Sequence, residues 1–112
     1  VEANEVAIGG EVVAIEPLRH TPAGIPMLHF RLLHRSRREE AGFKRDVECE
    51  IAAVAMAETA RSLARLRSGE SVTVSGFLDR KNRMSTQLVL HVTAIQSTGE
   101  GRHGSPGGTP QE

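Results

Sequence analysis

The chain of 112 residues carries 14 Lys and Arg against 14 Asp and Glu, so its net charge is zero with the five histidines neutral. That length suits one small domain with a modest core. The charge balance removes any global electrostatic argument for nucleic acid, so such an argument must rest on local clustering. Three phenylalanines, no Trp, no Tyr and one cysteine leave few stacking surfaces and no intrachain disulfide.

The cysteine, Cys49, sits between Glu48 and Glu50 with no basic neighbour in sequence to stabilise a thiolate. It is expected to be a small buried apolar side chain in a reducing compartment. No apolar run approaches the length that spans a bilayer, and no basic start followed by an apolar centre marks a signal peptide. The cytoplasm is the simplest location.

Residues 6–15 are apolar and β-branched, broken by Gly9 and Gly10. Val6, Ile8, Val12 and Ala14 share one face at period two, with Val13 and Ile15 on the other. The glycine pair predicts a bulge or a sharp coil. Pro17 ends this first strand, and residues 21–26, TPAGIP, are turn chemistry.

Residues 27–35 read as a second strand, with Leu28, Phe30 and Leu32 facing one way and His29, Arg31, Leu33 and Arg35 the other. Residues 36–42 form a charged connector, in which Gly42 can supply a positive φ. The third strand, 43–51, puts Phe43, Val47, Cys49 and Ile51 on one face and Lys44, Asp46, Glu48 and Glu50 on the other.

Residues 52–67 change period. Met56, Ala60, Leu63 and Leu66 recur at helical spacing, and Ser68-Gly69 ends a short amphipathic helix. A fourth strand follows at 71–78, then a polar loop at 79–85 carrying Arg80, Lys81 and Arg83. The fifth strand, 86–96, places Leu88, Leu90, Val92 and Ala94 inside. Residues 98–112 are rich in Gly and Pro with almost no apolar content, and are expected to be a disordered tail.

Three strands, a helix and two more strands make the pattern of an all-β, five-stranded OB-fold barrel over residues 1–97, the short helix lying between strands three and four. Gly9, Gly10 and Gly76 fall where such a barrel must bend. An OB barrel binds with the face of its second and third strands and with the loops between strands one and two and strands four and five. Those elements carry Arg19 and His20, then Arg31, Arg35 and Lys44, then Arg80, Lys81 and Arg83, all residue types that pair with phosphate. Surface loops carry such residues in any case; three segments converging on one face favour a binding role for the group. Phe43 is either a base-stacking platform or barrel core, whereas Phe30 and Phe77 are expected in the core.

Enzyme readings find little support. The histidines at 20, 29, 34, 91 and 103 lack metal-ligand spacing, no glycine-rich phosphate loop precedes a helix, and no nucleophile–His–acid arrangement stands out. No cofactor is expected.

Taken in order, GIP, LHFRLLHRS, EEAGF, SGFLDRKN and LVLHV resemble primosomal replication protein N, the PriB family, over residues 6–95. The resemblance implies a bacterial OB-fold homodimer that binds single-stranded DNA, contacts the PriA helicase, hands over to a DnaT-type primosome protein and catalyses nothing. By position, Arg35 and Phe43 match DNA-contacting residues of the family, and Arg80 and Lys81 fall in its basic last loop. Two departures stand out. Glu48 occupies a place where enteric members put Trp, and Thr86 or Gln87 stands where they put a basic residue. DNA affinity weaker than theirs follows. An adaptor that acts mainly on the helicase, with weak DNA binding, is the alternative.

Overall fold

The computed structural model describes residues 1–97; the expected tail, 98–112, lies outside the described residues. The elements are β1 (Val6–Val13), β2 (Arg19–His20), β3 (Pro26–Glu40), β4 (Phe43–Met56), α1 (Ala57–Ala64), β5 (Ser71–Arg80) and β6 (Leu88–Ser97). β2 is a two-residue appendage on the edge of β3. The other five close a barrel whose neighbours run β1-β5-β6-β4-β3 and back to β1. β4 and β6 are parallel and the remaining pairs antiparallel. This is the OB barrel the pattern predicts.

Two glycines let it close. A Cβ on Gly10 would stand 2.3 Å from the carbonyl oxygen of Leu33, and one on Gly76 would stand 1.8 Å from that of His91. Both neighbours are backbone, so only glycine fits. β1 passes from β5 to β3 beside Gly10, with Glu11 facing Ser71 on one side and Leu33 on the other. The register with β5 is unbroken there, so the glycine pair is a coil and not a bulge. The bulge lies at Gly76, where the register jumps from Ser75↔Ala94 to Gly76↔Val92 and leaves Thr93 unopposed.

The core is the inward row of each strand: Val12, Leu28, Phe30, Leu32, Ala53, Ala55, Val72, Val74, Leu90 and Val92, closed by Ala60 and Leu63 of α1. Burying each large member contributes about 1.5–3 kcal/mol relative to exposure. Two irregularities redirect the alternation. Ala14 has φ 54 and ends β1, so Ile15 packs on the core while Ala14 is exposed. The bulge at Thr93 does the same in β6, where Ile95 packs inward and Ala94 is exposed; Leu88, at the other end of the strand beside the loop, is 53% exposed.

The helix is shorter than its sequence pattern, because residues 52–56 belong to β4. Ala53 and Ala55 are each 1% exposed and pair with β3 on one side and β6 on the other. Burial in the barrel overrides alanine's preference for helix, which is a weak prior.

β3 and β4 pair without a break from Met27↔Met56 to Glu40↔Phe43, whereas β1 leaves β3 at Leu33. Beyond that point residues 34–40 and their partners project from the barrel as a two-stranded ribbon about 24 Å long. The connector expected at 36–42 is therefore strand up to Glu40. Only Ala41 and Gly42 turn, both at positive φ (54 and 82), in the manner of a two-residue type I′ hairpin.

Candidate nucleic-acid interface

A groove of about 950 Å³ runs over the outer face of β3, β4 and β6. Its floor is Met27 and His29 from β3, Ala52, Val54 and Met56 from β4, and His91 from β6. These positions alternate with the inward row and so lie on the outer face, where Val54 is itself covered at 4% exposure. One wall is the segment 14–17 after β1, and the other is Arg80, Lys81, Gln87 and Leu88. Arg31 and Glu50 close the end nearest the ribbon, joined by a 2.6 Å ion pair.

The loop 81–87 is built to hold a shape. Lys81 N–H donates to the Gln87 carbonyl and continues the β5–β6 ladder into the loop. The Asn82 side chain accepts from Met84 N–H at 2.9 Å, and the Ser85 hydroxyl accepts from Gln87 N–H at 3.0 Å. The Arg80 guanidinium donates across to the Arg83 carbonyl at 3.2 Å. Arg80, Lys81 and Arg83 thus stand on an organised hairpin, and among the described residues none of the three has an acidic partner.

The ribbon has the opposite character. Its register sets Arg35 opposite Glu48 and Arg37 opposite Asp46, and residues directly opposite share a face. Arg35 lies 3.8 Å from Glu48 and 4.0 Å from Glu11, and Arg37 lies 3.3 Å from Asp46. Arg45 pairs with Glu40 at 2.6 Å. These pairs are exposed and add little stability. Their electrostatic effect is local neutrality, because an acid within 4 Å cancels an arginine for a phosphate approaching at 0.1 M salt, where screening sets in at about 10 Å.

The candidate residues therefore divide into sets. Arg80 and Lys81 line the groove, with Arg83 beside them on the loop. Arg19 lies on β2 and pairs with Glu16 at 3.3 Å. Arg35 and Lys44 lie on the ribbon face that continues the groove, with Lys44 opposite Glu39. Phe43 is 77% exposed at the ribbon tip and on the other face, beside Arg45 and opposite Glu40. It is not core, and it does not share a face with Arg35.

Two other expectations change. Cys49 is exposed because its stretch of β4 lies on the projecting ribbon and has no barrel behind it. Phe77 is 39% exposed on the outer face of β5, its ring stacked on His91 with centroids 5.0 Å apart and planes within 3°; Phe30, at 2%, is core as expected. His29 and His91, missed as site residues, were visible only as polar positions in apolar strands. Among the described residues no cluster of three or more His, Cys, Asp and Glu could hold a metal ion, and no helix is long and apolar enough to cross a membrane.

A closed OB barrel with a basic loop beside an outer-face groove is the architecture of single-strand-binding proteins, and residues 4–94 match the family model described as "Another single-strand binding protein family". The chain is 45% identical over 92 residues to the replication restart protein PriB of Nitrosomonas europaea, covering 82% of this chain and 85% of that one. It is 37% identical over 93 residues to PriB of Neisseria gonorrhoeae, covering 83% and 92%. The solved structure of PriB from Ralstonia solanacearum superposes with a TM-score of 0.79 at 30% identity, covering 86% of this chain and 98% of that one. A small single-stranded DNA-binding protein from Streptomyces coelicolor, at TM-score 0.67 and 20% identity, shares the fold. The chain belongs to the PriB family.

Proposed function

We propose that this protein binds single-stranded DNA as a non-enzymatic accessory of replication restart in the cytoplasm. The observation that carries the reading is the organised loop beside the outer-face groove, whose Arg80, Lys81 and Arg83 side chains form no ion pair among the described residues. Arg80 and Lys81 hold phosphates at the groove wall, and Arg83 extends the same positive edge. Arg19, Arg35 and Lys44 give weaker contacts, each having an acid nearby. Phe43 offers one base a stacking surface at the ribbon tip.

In this role the protein works with the PriA helicase and passes the complex to a DnaT-type partner, as a homodimer. The outer edge of β1 suits self-pairing: residues 6–10 ladder with β5 on one side only, and on the other His34 Nδ1–H donates to the Gly9 carbonyl at 2.7 Å. A fluorescent oligonucleotide titrated at low salt should bind, and sedimentation at micromolar concentration should give twice the chain mass. No binding at low salt would remove the DNA part.

A second reading has its own observation. The cross-strand neutralisation of Arg35 and Arg37 by Glu48 and Asp46 leaves the ribbon a balanced surface, better suited to a protein partner than to phosphate. In that case the protein stimulates helicase unwinding to an extent that does not follow its own DNA affinity.

A further inference from the structure

We infer that Arg65 and Arg67, in the connector after α1, form a second phosphate-binding site at the opposite end of β5 from the basic loop, and that it takes up a single strand as the strand leaves the groove. The inference rests on the single-strand reading and adds a track that neither the groove nor the β5–β6 loop contains.

The connector 65–70 is built like the loop, on a held backbone. Arg65 and Leu66 N–H donate to the carbonyls of Ser62 and Leu63 and close the last turn of α1. Glu70 N–H donates back to the Arg67 carbonyl at 3.1 Å, and Gly69 turns at φ 97. Two further backbone bonds pin the segment to β1. Gly69 N–H donates to the Val12 carbonyl at 2.7 Å, and Val12 N–H donates to the Glu70 carbonyl at 2.9 Å.

The local acid is occupied in the same way in both places. Glu70 accepts from the backbone N–H of Arg67 at 2.7 Å, as Asp79 accepts from the backbone N–H of Arg80. Among the described residues, the exposed side chains of Arg65 and Arg67 form no ion pair. Arg61, one turn before Arg65, is by contrast neutralised by Glu58 at 2.6 Å. Arg65 stands at the C-cap, where a cation offsets the negative end of the helix. Arg67 lies beyond that turn and has no such role.

Position supplies the occupant. The groove floor ends in Met27 and Met56, and α1 starts at the next residue, Ala57. The helix packs Ala60 and Leu63 on the core, and its connector is bonded to β1, so it crosses the end of the barrel from β4 to β1. Its eight residues span about 12 Å. A strand that leaves the groove past Met56 therefore meets α1 and reaches Arg65 and Arg67 at the far end. The connector precedes Ser71 and the basic loop follows Arg80, so about 30 Å of strand separates the two sets of cations. That exceeds the screening length of about 10 Å at 0.1 M salt, and each set acts on its own stretch of backbone. The planar guanidinium fork suits phosphate at both.

The test varies the length of the strand. Wild type and Arg65→Gln/Arg67→Gln are titrated with dT oligomers of about 5 and about 16 nucleotides, near the two ends of the range one OB fold covers. The longer oligomer should bind the variant about twentyfold more weakly at 0.1 M salt, with about 1.4 units less log–log slope, the loss of two phosphate contacts. The shorter one fits within the groove and should bind both proteins alike at low salt. Arg65→Lys/Arg67→Lys should keep most of the slope, because charge sets it, and both variants should melt within a few degrees of wild type. Equal loss at both lengths, or no loss on the longer oligomer, would overturn the track while leaving DNA binding in place. A fluorescent oligoglutamate that binds wild type and not the Gln variant, with the longer oligomer unaffected, would assign the site to an acidic protein segment and overturn the track as well. Failure of the wild type to bind either oligomer at low salt would overturn the single-strand reading and the track with it.

Discussion

The β3–β4 ribbon and the β5–β6 hairpin loop are both rich in arginine, yet they present different surfaces to an anion. On the ribbon, the register places Glu48 and Asp46 opposite Arg35 and Arg37, and Glu40 reaches Arg45. On the loop, among the described residues, the side chains of Arg80, Lys81 and Arg83 form no ion pair; the one acid at hand, Asp79, accepts from the Arg80 backbone N–H at 2.7 Å, and the other neighbours are backbone carbonyls and the amide and hydroxyl side chains that shape the turn. The number of cations in a segment is therefore a poor measure of its pull on phosphate. What counts is which residue stands directly across the ladder.

The comparison can be broken most severely at the loop. Replacing Arg80, Lys81 and Arg83 together with Ala should lower affinity for single-stranded DNA by about a hundredfold at 0.1 M salt, since three contacts contribute a log–log slope of about 2. Anisotropy titration measures it, and a loss of less than about threefold would mean the loop is a bystander. A smaller change, of opposite sign, belongs to the ribbon. Glu48→Gln frees Arg35 from its cross-strand partner, with Glu11 still 4.0 Å away. Affinity should rise about fivefold at 0.1 M salt if one phosphate contact is gained. The mildest effect is on the ribbon's turn. Ala41 holds φ 54, a conformation that costs a residue with a Cβ about 1–2 kcal/mol. Ala41→Asn should raise the melting temperature by a few degrees, because Asn-Gly suits this turn.

Much of this was legible in the sequence. Period-two alternation separated Leu28, Phe30 and Leu32 from Arg31 and Arg35, and it put Asp46, Glu48 and Glu50 on one face. Gly10 and Gly76 marked the bends because only glycine tolerates those backbone approaches. The register was not legible. That Arg35 faces Glu48 follows from the turn closing at Ala41-Gly42, and a turn one residue longer would give other partners. Residues 52–56 misled in a different way. An alanine run favours helix locally, and only the crowded barrel shows why small residues were needed there.

The most direct measurement is the salt dependence of single-stranded DNA affinity for three proteins: wild type, the loop variant Arg80→Ala/Lys81→Ala/Arg83→Ala, and the ribbon variant Arg35→Ala/Arg37→Ala/Asp46→Ala/Glu48→Ala, which removes both members of each cross-strand pair. Phosphate binding at the loop predicts that the loop variant loses about 2 units of log–log slope while the ribbon variant keeps the wild-type slope to within about 0.3. A ribbon variant that loses as much slope as the loop variant, or more, would contradict it.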